Sequence, residues 1–152
     1  MRAAAWQRQA TLTGPTDRWT DAWNVCSQHY VSIVDDEPVG AFRFRSHAGP
    51  GDLPNAELYG SLLDHLPCPI AWSSRLVIHS AHQGRGYSRC LDNIAINGPR
   101  SASAASVVAT GASVAGNQKR DQIMRELGWT DTGMALCEPK GDYVAERTPR
   151  FL

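Results

Sequence analysis

The stretch RLVIHSAHQGRGYSRCLDN, residues 75–93, decides the fold, because an apolar run passes through a glycine pair into a helical pattern. Gly84 and Gly86 flank Arg85, and two glycines this close permit backbone angles that a side chain forbids. The helix that follows directs its free N–H groups and its positive dipole end at whatever approaches the main chain. Two interpretations stay open at this point: an anion-binding loop, most often for phosphate, or a tight turn without a ligand.

The bulk composition is that of an ordinary globular protein. The chain has 152 residues, 42% hydrophobic and 20% charged, so we expect one domain over 1–152 with a sizeable core. Fifteen basic residues balance fifteen acidic ones, which gives no reason to expect nucleic acid or a membrane surface as a partner. No apolar run reaches the roughly 18 residues that a membrane-spanning helix needs.

The four cysteines, Cys26, Cys68, Cys90 and Cys137, are widely spaced and form no C-x-x-C pair. This spacing argues against a zinc ribbon and against a dense disulfide framework, so no metal site is expected. Free thiols favour a reducing compartment, and the N-terminal residues lack the sustained apolar segment of a signal peptide. We therefore expect a cytoplasmic protein.

Working outward from the loop, apolar periodicity predicts a mixture of helices and strands. Strands are predicted over Tyr30–Val34 and Val39–Arg45 as a hairpin, over Ile70–His79, over 106–111, and in 131–139 and 142–147. Helices are predicted over Asp17–His29, over Ala56–Leu66 with leucines 58, 62 and 66 on one stripe, from Tyr87 or Ser88 up to the NGPR segment, and over Asn117–Trp129. This order predicts an α/β or α+β fold, a mixed sheet flanked by helices on both faces.

In this order of elements the sequence resembles the GNAT superfamily of acyltransferases. In that family a central strand runs into a loop written Arg/Gln-x-x-Gly-x-Gly/Ala, and Gln83, Gly86 and Ser88 occupy the three positions here. Asn117 and the segment ELGW at 126–129 match a second feature, an asparagine before a helix that ends in a pattern like LGF. The resemblance implies a GNAT-like, mostly antiparallel central sheet and an acyltransferase that takes acetyl-CoA or another acyl-CoA as its co-substrate.

A narrower likeness concerns VGAFRFRSHAGPGDLP at 39–54 and SSRLVI at 73–78. Both are similar to acyl-homoserine lactone synthases and N-acyl amino acid synthases, GNAT-like enzymes that often take acyl groups from acyl carrier protein. Those enzymes carry a Ser-Arg pair in the central strand, matched here by Ser74 and Arg75. The QGRGYS loop is closer to the coenzyme A users, so the resemblance leaves the choice of donor open.

The resemblance implies a donor site made largely of backbone groups. The implied donor-binding residues are Val77, Ile78, His79, Gln83, Gly84, Arg85, Gly86, Tyr87, Ser88 and Asn117. Backbone N–H groups from Gln83 to Ser88 would hold the pyrophosphate of coenzyme A, and the end of the strand would face the pantetheine arm. For Arg85 a solvated side chain is the alternative, and for Asn117 a plain helix cap.

The chemistry that the resemblance implies is direct attack of a neutral amine on the thioester. It needs an oxyanion site, a base for the amine and an acid for the leaving thiolate. The family often uses a glutamate on the central strand as base, but this strand has none, so His79, His82 and Glu57 are the candidates. For each of them a structural or surface role is the alternative.

The family's acid is commonly a tyrosine in the helix after the asparagine, and the matching position holds Met124. Methionine cannot donate a proton, so Tyr87 and Tyr143 are the candidate substitutes. Unassisted departure of the thiolate is the alternative, because a thiol has an ordinary pKa of only about 8.5. Cys90 would permit a covalent route, although a structural thiol is the simpler interpretation.

Three arginines, Arg43, Arg45 and Arg75, would line one region if the strands pair as expected, and they would suit a carboxylate on the acceptor or the carrier. Surface charge is the alternative. Three functions stay open: an acyl-CoA-dependent N-acyltransferase acting on a small-molecule or peptide amine, a carrier-protein-dependent synthase, and a non-catalytic acyl-CoA-binding module. A monomer and a homodimer are equally compatible with the sequence.

Overall fold

The computed structural model of the chain describes residues 22–112, 118–133, 136–140 and 143–151. The strands in that part of the chain are β1 Gln28–Val34, β2 Glu37–His47, β3 Ile70–Ile78, β4 Ser106–Ala112, β5 Thr130–Asp131, β6 Leu136–Lys140 and β7 Tyr143–Phe151. These seven strands form one sheet in the order β1-β2-β3-β4-β7-β5, with β6 also paired to β7. The α-helices are α1 Tyr87–Ser101 and α2 Gln118–Glu126.

The sheet is mixed and mostly antiparallel, as predicted. Only β3 and β4 run parallel, and every other pairing in the described part is antiparallel. The predicted hairpin, the buried strand over 106–111 and the last two strands are all confirmed. The parallel pair needs a crossover connection, and α1 provides it.

The main core lies between the sheet and α1. Phe42, Phe44 and Ala71 from the sheet contact Leu91 and Ala95 from α1. Leu91 and Ala95 lie four residues apart on the buried face of α1, whereas Ile94 is exposed. A second apolar cluster joins Trp72, Ile70 and Val108 to the chain segment between β2 and β3, so both faces of the sheet are covered.

The helix predicted over Ala56–Leu66 is wrong. The structure has a single 3₁₀ turn, Ala56–Leu58, followed by further turns, and Gly60 has a left-handed φ of +51°. The glycine interrupts the helical path. Of the predicted leucine stripe only Leu66 is buried, Leu58 and Leu62 are partly buried, and Tyr59 and Leu63 complete the buried set. Packing against the sheet therefore replaces the helical period in this segment.

Two other helix boundaries differ from prediction. The helix over Asp17–His29 is wrong in its described part, because Ala22–Asn24 form a 3₁₀ turn and β1 already begins at Gln28, where pairing with β2 starts. Helix α1 passes through the NGPR segment and ends at Ser101. A Cβ at Gly98 would lie 3.4 Å from the hydroxyl of Tyr30 and 3.5 Å from Phe44, so the last turn packs closely on the sheet. That packing outweighs the local penalty of Pro99.

Helix α2 ends at Glu126, and Gly128 stops it two residues later. The Trp129 N–H donates to the Met124 carbonyl at 3.0 Å, and the Gly128 N–H donates to the Arg125 carbonyl at 2.9 Å. Gly128 has a φ of +88°, which completes a Schellman motif. The predicted cap Asn117 lies outside the described residues.

Candidate functional site

A cavity of about 690 Å³ opens where β3 and β4 separate. The two strands pair only from Ile70 to Ser73 and from Ser106 to Ala109. Beyond that point, residues 73–78 of β3 line one wall together with Ala109 and Thr110 of β4, and residues of α1 and α2 line the other. The separation of the two strands therefore creates a cleft that leads from the glycine loop into the sheet.

The glycine loop forms the mouth of this cavity. After β3 a 3₁₀ turn, Ser80–His82, leads to Gly84 and Gly86, whose φ angles are +77° and +86°. A Cβ built on either glycine would meet no atom within 4 Å, so open space, not packing, surrounds them. The first helical bond of α1 runs from the Arg89 N–H to the Gly86 carbonyl, which leaves the N–H groups of Tyr87 and Ser88 unused by the helix.

These features favour the anion-binding interpretation of the loop. Backbone donors and the positive end of a 15-residue helix face a cavity that a ligand can enter. Gln83 helps to hold the loop, since its Nε2 donates to the Ile78 carbonyl at 3.4 Å. Most of the sequence-predicted donor residues come together here: the cavity is lined by Val77, Ile78, Gln83, Gly84, Gly86, Tyr87 and Ser88, whereas His79 and Arg85 are not among its lining residues.

The two histidines near the loop have different surroundings. His79 is exposed, and its Nδ1 accepts the Ala81 N–H at 3.3 Å, so this ring caps the 3₁₀ turn. His82 lines the cavity, and its ring centroid lies 6.0 Å from that of Tyr87. The Nδ1 of His82 is buried and has no hydrogen-bond partner among the described residues. Of the two, His82 is therefore the one that faces the ligand space.

Of the other candidate catalytic residues, Tyr87 alone among those whose side chains are described lines the cavity. Tyr87 is half-buried, opens α1 and lines the cavity. Tyr143 begins β7, and its side chain lies outside the described residues. Met124 is buried in the cavity wall, so the position that the family gives to a tyrosine is occupied by an apolar side chain. Cys90 and Glu57 are exposed and lie outside the cavity lining.

The three strand arginines do not share one environment. Arg43 is only 1% exposed: its Nε donates to Ser74 Oγ at 3.1 Å, its Nη1 donates to Asn24 Oδ1, and its guanidinium lies 5.7 Å from the ring centroid of Trp72. Arg45 lies over Trp23 at 5.3 Å. Arg75 lines the cavity, which neither of the other two does. The interpretation of these arginines as surface charge is therefore wrong for Arg43 and Arg75, which are both buried.

Two ion pairs that the sequence did not reveal join the helices across the cavity. Arg120 forms a bidentate pair with Asp92, with Nη2 to Oδ1 at 2.6 Å, and only 3% of the Asp92 side chain is exposed. Arg89 and Glu126 form a second, exposed pair at 3.0 Å. Asp92 follows Leu91 on the buried face of α1. A carboxylate at such a position requires a charged or hydrogen-bonding partner, and this was the sequence signal that could have predicted the ion pair.

Two kinds of site are not found in the described part of the chain. No group of three or more His, Cys, Asp or Glu side chains there could hold a metal ion. No helix among the same residues has the length and apolar character required to cross a bilayer.

Comparison with known proteins identifies the fold. No protein-family model and no curated protein sequence matches the chain. Among solved structures, FeeM, an N-acyl amino acid synthase from uncultured soil microbes, aligns with a TM-score of 0.70 at 13% identity over 99% of this chain and 85% of FeeM. Salmonella typhimurium yncA, solved with acetyl-CoA, aligns at 0.60 and 19% identity over 100% of this chain and 89% of yncA.

A third similar structure is the spermidine/spermine N-acetyltransferase SpeG from Vibrio cholerae, at a TM-score of 0.57 and 14% identity over 86% of this chain and 71% of SpeG. At these identities the likeness concerns the fold. The fold that the resemblance implied from the glycine loop, the hairpin and the ELGW segment is thereby confirmed, and FeeM shares this fold.

Proposed function

We propose that this chain, which has the fold of the GNAT acyltransferases, transfers an acyl group from an acyl-CoA to a primary amine. One observation carries the proposal: two left-handed glycines expose unused backbone N–H groups at the start of a long helix, at the mouth of a cavity that divides two parallel strands. This geometry suits a ligand with a diphosphate at one end and an extended arm at the other. The complex of yncA with acetyl-CoA supports the same type of donor.

The reaction follows from the chemistry of a thioester. The amine nitrogen forms a bond to the acyl carbon, the carbon–sulfur bond breaks, and the amine proton ends on the leaving thiolate. His79 and His82 are the proposed bases, and the cavity lining favours His82; Tyr87 or Tyr143 is the proposed acid. Turnover by Tyr87→Phe and Tyr143→Phe tests the acid: if both variants keep the full rate, the thiolate leaves without a tyrosine.

Donor binding and turnover test the proposal separately. Acetyl-CoA is titrated by calorimetry, and thermal unfolding is followed with and without it. A donor at 100 times its dissociation constant should stabilise the fold by about 2.7 kcal/mol. Release of free thiol is then measured with a panel of amines. Binding without turnover of any amine would identify a non-catalytic acyl-CoA module instead, and absence of binding would exclude the donor site.

A second candidate takes its acyl group from acyl carrier protein. The likeness to FeeM favours it, together with the Ser74-Arg75 pair in the central strand. Turnover of an acyl carrier protein substrate, with no thermal shift by any acyl-CoA, would reverse the choice of donor.

The cellular setting is also a proposal. Cys26, Cys68 and Cys90 are unpaired and exposed in the described part of the chain, which suits a reducing cytoplasm. Cell fractionation tests that location, and light scattering tests whether the protein is a monomer or a homodimer.

A further inference from the structure

Ser74 lies where β3 and β4 separate, a part of the cavity that we call its inner end. The two strands are last paired at Ser73 and Ala109, so Ser74 is the first residue of β3 beyond that pairing. Only 7% of Ser74 is exposed, yet the residue lines the cavity. A ligand that enters the cavity can therefore reach a residue that is shielded from bulk water.

Arg43 on the neighbouring strand β2 holds the Ser74 hydroxyl from within the sheet. The two residues are paired across the strands, and the Arg43 Nε donates to the Ser74 Oγ at 3.1 Å. Arg43 is held on two further sides, because its Nη1 donates to Asn24 Oδ1 and its guanidinium lies 5.7 Å from the ring centroid of Trp72. The serine oxygen is thus fixed by a buried cation that is itself fixed.

A β-bulge follows this pair. Ala41 pairs with Val77 whereas Arg43 pairs with Ser74, so two residues of β3 face one residue of β2. A bulge interrupts the regular alternation of a strand, and bulges often re-aim side chains next to active sites. The contact between Arg43 and Ser74 therefore lies at the end of regular pairing on both sides of β3.

The contact with Arg43 makes the Ser74 hydroxyl a stronger donor. A serine hydroxyl has one proton to donate and two lone pairs, and the Arg43 Nε–H occupies one lone pair. Hydrogen bonds in a chain polarise one another, and each bond is stronger where the local dielectric is low. In the described part of the chain the hydroxyl proton has no acceptor. The proton is therefore available to an oxygen atom of a ligand.

The length of the donor brings its thioester to the level of Ser74. His79, where β3 gives way to the turn before the glycine loop, lies five residues after Ser74, about 16 Å at the usual rise of a strand. The arm of coenzyme A has about twelve bonds between diphosphate and sulfur, as many as about four residues of extended chain, or roughly 14 Å. An arm that starts at the loop and follows β3 ends at the inner end.

Attack on the thioester creates a negative charge that needs a donor at this place. As the nitrogen–carbon bond forms, the electron pair of the carbonyl moves to the acyl oxygen, and it returns when the carbon–sulfur bond breaks. The oxygen gains no proton in either step, so a hydroxyl that only donates a hydrogen bond is left unchanged. Such donors are most effective where water is excluded and the donor is already oriented before the reaction. Both conditions hold for Ser74.

We propose that Ser74 is a catalytic residue whose hydroxyl donates a hydrogen bond to the acyl oxygen, and that Arg43 is the positioning residue that fixes and polarises it. This rests on the proposed acyl transfer and supplies the oxyanion donor that the reaction requires. The charge of Arg43 acts in the same direction, because a cation in a buried site stabilises a negative charge that forms nearby.

The first experiment uses the donor alone and requires no amine. Acetyl-CoA labelled with ¹³C at the carbonyl is bound at saturation, and its carbonyl stretch is recorded by isotope-edited infrared spectroscopy. A hydrogen bond from Ser74 lowers this frequency, so the band should move to higher frequency in Ser74→Ala and return in Ser74→Thr, which keeps a hydroxyl. The same band position in the wild type and in Ser74→Ala would show that Ser74 does not contact the acyl oxygen, and would overturn the proposal.

The second experiment separates rate from binding. Ser74→Ala should lower kcat by about 100- to 1000-fold, the usual effect of removing one oxyanion donor. Its dissociation constant for acetyl-CoA should change by less than about 10-fold, because one neutral hydrogen bond contributes little to ground-state affinity. Ser74→Thr should keep most of the rate. A Ser74→Ala variant that keeps the wild-type rate, or that loses donor affinity instead of rate, contradicts a catalytic role.

The positioning role of Arg43 is tested by a double-variant comparison. Arg43→Lys keeps a cation but loses the fixed direction of the Nε–H, so kcat should fall and the carbonyl band should approach that of Ser74→Ala. In the background of Ser74→Ala the same change should slow the reaction little further, because the two residues act as a unit. Independent, additive losses would overturn the positioning role. If Arg43→Lys does not fold, Arg43→Gln replaces it, and the Ser74 variants still decide the catalytic role.

Failure of this inference differs from failure of the proposed function. Titration of the wild type with acetyl-CoA reports on the donor site alone. Donor binding and full turnover by Ser74→Ala overturn the role of Ser74 and keep acyl transfer. No donor binding by the wild type overturns both, and donor binding without turnover of any amine also removes the catalytic assignment.

Discussion

Residues with a left-handed backbone conformation lie at both ends of the cavity, but they are of different types. At the mouth the residues are Gly84 and Gly86, and at the inner end the residue is Arg75. Glycine adopts this conformation readily, so the mouth shows only that the backbone must turn with open space around it. For arginine the conformation is unfavourable by about 1–2 kcal/mol, so the surrounding strands must hold the backbone in this conformation.

The difference separates two ways of recognising a ligand. The mouth uses main-chain N–H groups and a helix dipole, which accept any phosphate that fits. The inner end has a charged side chain, Arg75, among its lining residues, and a charged side chain recognises a ligand by its own geometry.

The largest expected effect is at the mouth. Gly86→Asp places a negative charge where a phosphate should bind, and like charges 4 Å apart repel by roughly 4 kcal/mol at an effective dielectric of about 20. Acetyl-CoA affinity should fall by around a thousandfold. Gly86→Asn is the matched control, because both side chains tolerate a left-handed φ better than most and differ mainly in charge. Calorimetric titration of both folded variants measures the effect, and equal affinities would contradict a phosphate site.

The second largest expected effect is a loss of stability when the ion pairs between α1 and α2 are broken. Asp92→Asn leaves the partly buried Arg120 without its carboxylate and should lower the free energy of unfolding by about 3 kcal/mol. Glu126→Gln breaks the exposed pair with Arg89 and should cost less than about 1 kcal/mol. Urea unfolding of the two variants gives the comparison. Equal losses would mean that the Asp92 pair has no special role in holding α1 to α2.

A smaller effect tests the left-handed residues directly. At an ordinary strand position alanine is more stabilising than glycine, but at Arg75 we expect Arg75→Gly to be more stable than Arg75→Ala by about 1 kcal/mol. Gly86→Ala should lose about the same amount for the same reason. Denaturant midpoints of the three variants suffice. If Arg75→Ala is the more stable member of its pair, then Arg75 is not strained.

The smallest expected effect concerns His47, which lies outside the cavity lining and serves as a reference for both of its ends. Burial lowers the pKa of His47 from its usual value near 6.5. A hydrogen bond that the ring donates to the Asp52 backbone and the Asp52 charge oppose this shift, whereas nearby Arg45 adds to it. The unfolded chain therefore binds the proton first, and stability present above pH 6.5 is lost as the pH falls below it. His47→Gln should lose less stability between pH 7 and pH 5. A parallel decline in both proteins would show that other groups titrate.

Local signals predicted a large part of the fold. The strand, glycine loop and start of α1 follow from backbone permissiveness and helix polarity, and Gly128 ends α2 because it alone in its segment accepts a left-handed φ without penalty. The hairpin and the strand over 106–111 follow from alternation and turn residues. The glycine loop could therefore be predicted from the sequence, since its conformation depends on residues next to each other along the chain.

The structure at the inner end of the cavity could not be predicted from the sequence in the same way. Ser74 and Arg75 drew attention only through a family likeness, and no local pattern indicates that β3 bulges there or that Arg43 supports Ser74 from the neighbouring strand. The partnership of Asp92 with Arg120 spans 28 residues. These features depend on which strands and helices become neighbours.

The amino-acid sequence by itself determined the succession of the strands along the chain, the glycine loop with the helix that follows it, and the stop of α2 at Gly128. Each of these depends on the backbone preferences of a few adjacent residues. Only the tertiary structure decided that residues 56–66 form turns, that α1 continues through Gly98 and Pro99, and that Arg75 faces the cavity. In these places burial against distant residues contributes more free energy than local propensity, which differs by only about 1 kcal/mol or less for most residues.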